Sequence, residues 1–225
     1  MLTSRQVLGQ EGIALVAVLL AGMLLLALGL ALLLTSNTET KIAANASSAR
    51  QAVYAADAAI ERARLDLAST PNWTTVLAGG TVPECAQTMS TFAATSCGGA
   101  SLLVVALPGT SQTIDLRAAT DALQARSDAR NLWGANDPVW RLYAFGPVAS
   151  LVSDPPAWSP LYVALWVADD PSETDGVPSV DSNGILALHA EAYGPAGTER
   201  SIDATIARPP AGRPGTRLLS WRLEP

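Results

Sequence analysis

The chain has 225 residues and a net charge of −6, with 49% apolar, 15% charged and 5% aromatic side chains. That is the size of about one domain. The apolar share excludes a wholly disordered chain, which would be poor in such residues and rich in one sign of charge. The acidic balance argues against a basic nucleic-acid binder, so no nucleic-acid partner is expected.

The mean hydropathy of +0.24 is high for a soluble protein, and the excess sits at one end. From Ile13 to Leu34 the chain holds only Ile, Ala, Leu, Val, Gly and Met. At 1.5 Å per residue this run spans about 33 Å, close to the hydrocarbon thickness of a bilayer. It is therefore predicted to be a transmembrane helix. It is longer than the apolar region of a cleaved secretory signal and reaches Thr35 without a small-x-small cleavage site. A buried soluble helix seldom stays apolar all round for six turns.

Flanking charge says little about orientation, since Arg5 precedes the span while Lys41 and Arg50 follow it. The cysteines say more. Cys85 and Cys97 lie 12 positions apart in a Gly/Ser/Thr-rich stretch, and two thiols in an extracytoplasmic domain usually pair. A disulfide is expected, with two free thiols as the alternative, and the body is expected to face the periplasm or the outside.

Beyond the span, Ile42, Ala46, Ala49, Val53, Ala56, Ile60, Ala63 and Leu67 recur at alternating spacings of four and three. That is the seam of a helix packed lengthwise against other elements. No proline intervenes before Pro71, so one helix of about 84 Å is predicted from Ile13 to about Ala68. Residues 35–68 form its amphipathic half, and 69–225 form a globular head.

In the head, 101–107 reads as an apolar strand and Arg117–Leu132 as a short helix. Val139–Phe145, Leu161–Val167, Ile185–Tyr193 and Arg200–Ile206 read as an antiparallel series. Gly194–Thr198 is predicted to be a five-residue hairpin loop, and Thr216–Leu223 a final strand loosely joined through Pro209, Pro210 and Pro214. The fold class is α+β, a long N-terminal helix on an antiparallel sheet.

This order resembles a type IV pilin-like protein. Glu11 and Gly12 followed by Ile13, Ala14, Leu15 and Val16 look like a prepilin peptidase site. The resemblance implies removal of residues 1–12 as a leader by cleavage after Gly12, and methylation of Ile13. The stretch QEGIALVAVLLAGMLLLALGLALLL, then Thr35 to Thr40 and Ala49 to Arg62, is similar to the N-terminal region of PilX-like minor pilins. The likeness covers residues 9–68, and beyond them only the order of segments is shared. It implies an inner-membrane, single-pass subunit that enters a pilus by packing its helix on other pilins. It also implies an extracellular head with a possible part in adhesion.

One position departs from the family. Major pilins carry a glutamate at the fifth mature residue, which here is Ala17. In the family that carboxylate pairs with the N-terminal amine of a neighbouring subunit, offsetting the cost of about 2.5 to 3.5 kcal/mol for a charge in the bilayer. A subunit that enters a filament first has no amine ahead of it to neutralise, so Ala17 fits a priming or tip role. Drift without positional meaning is the alternative. The pseudopilin K of type II secretion is similar in lacking the glutamate.

Between Arg141 and Arg200 there is no lysine or arginine, while Asp154, Asp169, Asp170, Glu173, Asp175, Asp181, Glu191 and Glu199 give that stretch a charge of −8. Calcium takes six to eight oxygens from loops of this kind, so Asp169, Asp170, Asp175, Asp181 and Asn183 are candidate ligands. A solvated acidic loop is the other reading. The spacing is not that of an EF-hand, because the twelfth position from Asp169 is Val180.

No catalytic motif is found. The single histidine, His189, falls inside an alternating strand, and the single lysine, Lys41, lies just past the span. An enzyme is not expected, nor any cofactor besides possible calcium. Three functions remain open: a minor pilin, a minor pseudopilin of type II secretion, and a single-span anchored periplasmic binding domain.

Overall fold

Helix α1 (Gln10–Ser69) runs unbroken for 60 residues, as its Ala and Leu content and the absence of proline predict. The computed structural model describes residues 10–79, 103–107, 109–130, 136–151, 159–210 and 215–224; for 10–12 and 150 only the backbone is described. Cys85, Cys97 and their expected disulfide lie outside the described residues. The chain divides into two compact units, Met1–Ala46 and Ser47–Pro225.

In the first unit the large apolar side chains from Ile13 to Leu34 are all exposed, Leu26 to 76%. The helix is long and apolar enough to cross a membrane. Immediately after the apolar run, Thr35, Thr38 and Thr40 donate their hydroxyls to the carbonyls four residues back, at 3.0, 3.0 and 2.9 Å. Each hydroxyl is thereby satisfied within its own helix.

The second unit contains the remainder of α1, and here the apolar seam is buried. Ala52, Ala56, Ala59, Ile60, Ala63 and Leu67 are fully enclosed and Ala55 nearly so. The stripe lies slightly to one side of the predicted seam. Val53 is at its margin and half-buried, and Ile42 is exposed because the head begins later than the periodicity does.

Pro71 cannot extend the helix, and the last carbonyls of α1 find donors in side chains beyond its end. Thr70 Oγ1 donates to Asp66 O at 3.1 Å and the Trp73 indole to Leu67 O at 3.0 Å. Arg208 reaches Thr70 O at 3.2 Å, with its guanidinium 4.3 Å from the centre of the Trp73 ring. One turn of helix, α2 (Thr74–Leu77), then buries Val76 and Leu77.

The main sheet is an antiparallel meander of β3 (Arg141–Pro147), β4 (Tyr162–Asp169), β5 (Ile185–Gly194), β6 (Thr198–Ala207) and β7 (Arg217–Glu224), paired in chain order. A separate two-stranded sheet pairs β1 (Val104–Ala106) with β2 (Thr113–Asp115) and leads into α3 (Leu116–Arg130). Asp115 caps that helix, its Oδ1 accepting the N–H groups of Arg117 and Ala118 at 2.9 and 3.1 Å. The β5–β6 loop is shorter than predicted, because Gly194 and Thr198 already pair in the ladder. The left-handed conformation falls on Ala196 (φ 57°) as well as on Gly197.

Both faces of the sheet are covered. On the α1 side, Val163, Leu165, Val167, Leu186, Leu188, Ile202 and Ile206 meet the alanine stripe. On the other side Ala164, Trp166, Ala168, Tyr162 and Tyr193 pack with Leu116 and Leu123 of α3 and with Trp140. Every residue of β4 is therefore buried.

Truncating a fully buried isoleucine costs about 2–5 kcal/mol. Ile60→Ala should accordingly lower the melting temperature of the detergent-solubilised chain markedly. Glu61→Ala, which loses only an exposed pair with Arg64, should shift stability by less than about 0.5 kcal/mol. Thermal melts followed by circular dichroism check both; equal melts would mean that the stripe does not hold the head together.

Candidate functional site

The β4–β5 connection, residues 170–184, gathers the acidic block into a folded loop held by its own carboxylates. Asp170 accepts Ser172 N at 3.1 Å, the Ser172 hydroxyl, and Asn183 Nδ2 at 3.0 Å. Glu173 reaches across the loop and accepts Ser182 N, Ser182 Oγ and Asn183 N at 3.0, 2.9 and 2.8 Å. Asp181 Oδ1 takes Gly184 N at 2.7 Å, while Asp181 N donates to Thr74 Oγ1 in α2 at 3.2 Å. These bonds replace a strand ladder where the chain turns.

The folding brings Asp169, Glu173 and Asp181 together, with one carboxylate oxygen of each within 4.8 Å of the others. Asp169 and Glu173 are buried, Asp169 completely. Of the predicted ligands, Asp169 and Asp181 belong to this group. Asp170 turns to Ser172 and Asn183, while Asn183 caps Ile185 N through its own Oδ1 at 2.7 Å. Asp175 is exposed and bonds Val177 N at 3.0 Å, outside the group.

Sequence spacing did not single out Glu173, nor Asn136, a fully buried residue 33 positions before Asp169 whose Nδ2 donates to Asp169 Oδ2 at 2.8 Å. Nothing in the linear order marks Asn136, because only the tertiary fold places it there.

Burial pushes the Asp169 carboxyl up to about 6, with Glu173 and Asp181 adding to the shift while the Asn136 and Asp170 N–H bonds oppose it. Burial also raises Asp181, against the Gly184 N–H bond. Carboxylates so close in a partly desolvated place repel one another. An all-oxygen donor set of this kind suits a hard cation.

A second polar assembly lies on the α3 side of the sheet. The register places His189 of β5 beside Asp203 of β6, and the strand alternation puts Glu191 and Tyr193 on the same face. His189 Nδ1 is 2.6 Å from Asp203 Oδ1 and its Nε2 is 3.1 Å from Glu191 Oε1. Arg126 of α3 donates to Glu191 at 2.8 Å, and the Tyr193 hydroxyl also bonds Glu191. Arg222 of β7 bonds Asp203 at 3.1 Å, and Arg130 joins Glu224 at 3.0 Å. A cavity of about 400 Å³ opens beside this network.

Burial would lower the His189 pKa, yet the bonds to Asp203 and Glu191, with their charges, outweigh it and hold the pKa above the ordinary value. The same contacts offset the burial of Asp203 and bring its carboxyl down to about 2. With both ring nitrogens directed at carboxylates, the imidazolium is the form that satisfies the site. Neither nitrogen is left to act as a base or metal ligand.

No family model matches the chain, and neither a curated protein nor a solved structure does.

A raised folded-state pKa stabilises at pH values below the unfolded one, near 6.5, and that contribution is lost as pH rises through the folded value. The melting temperature should therefore fall as pH increases above about 6.5. His189→Gln should lie lower at acid pH and change less between pH 6.5 and 9. Parallel pH profiles for the two proteins would rule this coupling out.

Proposed function

We propose that the chain is a minor pilin, a structural and assembly subunit of a type IV pilus that acts in priming or at the filament tip. The observation that carries this reading is the division of labour within α1. One helix is apolar and exposed over Ile13–Leu34 and buried along an alanine stripe over Ala52–Leu67. The first segment suits an inner membrane and then a filament of packed helices; the second belongs to the fold of a head built on an antiparallel sheet. Glu11 and Gly12 stand where a prepilin peptidase would cut, and Ala17 removes the intramembrane carboxylate that a subunit behind others would use.

In this reading the head lies in the periplasm before assembly and outside the cell after it. Its partners are other pilins along the α1 helix, the inner membrane and the processing peptidase. The role is structural rather than catalytic, in keeping with a histidine already engaged by two carboxylates. Ala17 equally favours a second reading, a minor pseudopilin of type II secretion with the same architecture.

Processing tests the proposal. Mass spectrometry of the membrane-extracted protein should find Ile13, methylated, at the N-terminus. An intact Met1 in cells with active prepilin peptidase would remove both filament readings. Recovery in sheared surface filaments, and loss of those filaments on deletion, would favour the pilus over the secretion apparatus.

A further inference from the structure

We propose that the cavity between α3 and strands β5 to β7 binds a small organic anion, an oxyanion group carried on an apolar body. The cavity measures about 400 Å³, within the range of about 300 to 1,000 Å³ usual for small-molecule sites. Arg126 and Arg130 of α3 and Arg222 of β7 line it together with His189.

Donors and acceptors around the cavity are out of balance. Every oxygen of Glu191, Asp203 and Glu224 already has a partner. Glu191 Oε1 takes Arg126 and His189, while its Oε2 takes the Tyr193 hydroxyl. Asp203 Oδ1 faces His189 and its Oδ2 accepts Arg222. Glu224 Oε2 accepts Arg130, and its Oε1 lies 2.5 Å from Arg222. Asp170, which also lines the cavity, is taken up by Ser172 and Asn183. A cation entering here would have to compete with these donors for its ligands.

The guanidiniums are in the opposite state. Each carries five N–H donors on three nitrogens, yet Arg126 and Arg222 reach their carboxylates through Nη2 alone. Among the described residues Nε and Nη1 of both have no protein partner, and the two side chains are 52% and 63% exposed. With Glu191 counted, Asp170, Asp203 and Glu224 complete a set of acids that matches Arg126, Arg130, Arg222 and the His189 imidazolium in charge. What the cavity lacks is therefore acceptors and not net negative charge. An oxyanion provides them, because a guanidinium edge holds carboxylate or phosphate through two parallel N–H bonds. Leu123, Ala187, Ala204 and Trp140 add apolar lining, which an inorganic ion would leave wet and an apolar body would cover.

The site does not depend on the filament reading, and the test uses the full chain in a non-ionic detergent. Calorimetric titrations with phenyl phosphate and with benzoate should show saturable binding of at least one of them, one molecule per chain, at micromolar to millimolar affinity. The matching ion without the ring, inorganic phosphate or acetate, should bind at least fivefold more weakly, and benzyl alcohol, the ring without the charge, should not bind saturably. Arg126→Gln and Arg222→Gln should each weaken binding at least tenfold, whereas Arg117→Gln, on α3 but outside the cavity lining, should bind as wild type does. Ala187→Leu fills the cavity without touching a charge and should abolish binding. Hydrogen exchange of the wild-type chain reads the location without any substitution: the bound ligand should slow exchange at 123–130 and 217–224. The absence of binding of both probes at about 10 mM, equal affinity for the ion without the ring, saturable binding of benzyl alcohol, unchanged affinity in Arg222→Gln or Ala187→Leu, or protection confined to other segments would each overturn the proposal.

Discussion

The head depends on the burial of one stripe of α1 in the same apolar core as the sheet. Ala52, Ala55, Ala56, Ala59 and Ala63 carry no atoms beyond Cβ, so the helix contributes little side-chain volume to the layer it shares with the strands. The volume between them is filled from the other side by Val163, Leu165, Val167, Leu186, Leu188, Ile202 and Ile206. Small residues on the helix and branched ones on the strands serve each local preference as well. Alanine loses no side-chain entropy in a helix, and β-branched residues suit a pleated surface. Ile60 and Leu67 are the two large side chains in the stripe, each fully enclosed.

Covering the second face has a different consequence. Once α3 and the β1–β2 pair lie over β4, the outward residues of β5 and β6 no longer reach water freely, and His189 and Glu191 become buried. A polar side chain in that position requires partners. The strands and α3 supply them in a chain of alternating charge from Arg126 through Glu191, His189 and Asp203 to Arg222. Trp140 and Trp166 flank the imidazole, with ring centres 5.9 and 5.8 Å away. The network fixes the register of β5 against β6, because a slip of one residue would send His189 to the apolar face.

The readable parts of the fold were those with a strong period. Alternation in β6 placed Ile202, Ala204 and Ile206 on the buried side, and the spacing in α1 located the stripe to within a residue. Elements too short to show a period, α2 and β2, were not legible. Nor was the second layer, since α3 turns only Leu116, Thr120, Leu123 and Ser127 inward, half of them polar. At the acidic loop the sequence pointed to the right segment but not to the right grouping. Glu173 and Asp181 lie in a connection between strands, where no helical or strand period decides which side chains meet, and Asn136 comes from before β3.

The charge count along the chain was misleading for a related reason. A stretch with eight acids and no lysine or arginine looks like a solvated, self-repelling segment. In the folded protein its acids meet cations from outside the stretch: Arg126 on Glu191, Arg208 near Asp181, and Arg141 at its border acting on Asp169. Others are met by main-chain N–H groups of the loop itself, as at Glu173 and Asp170. Ion pairing in an antiparallel meander joins neighbouring strands and the helix that crosses them, so it follows the register and not the linear order. The surplus that survives this pairing is local, concentrated where β4 ends and the carboxylates have more negative charge than the two arginines can offset.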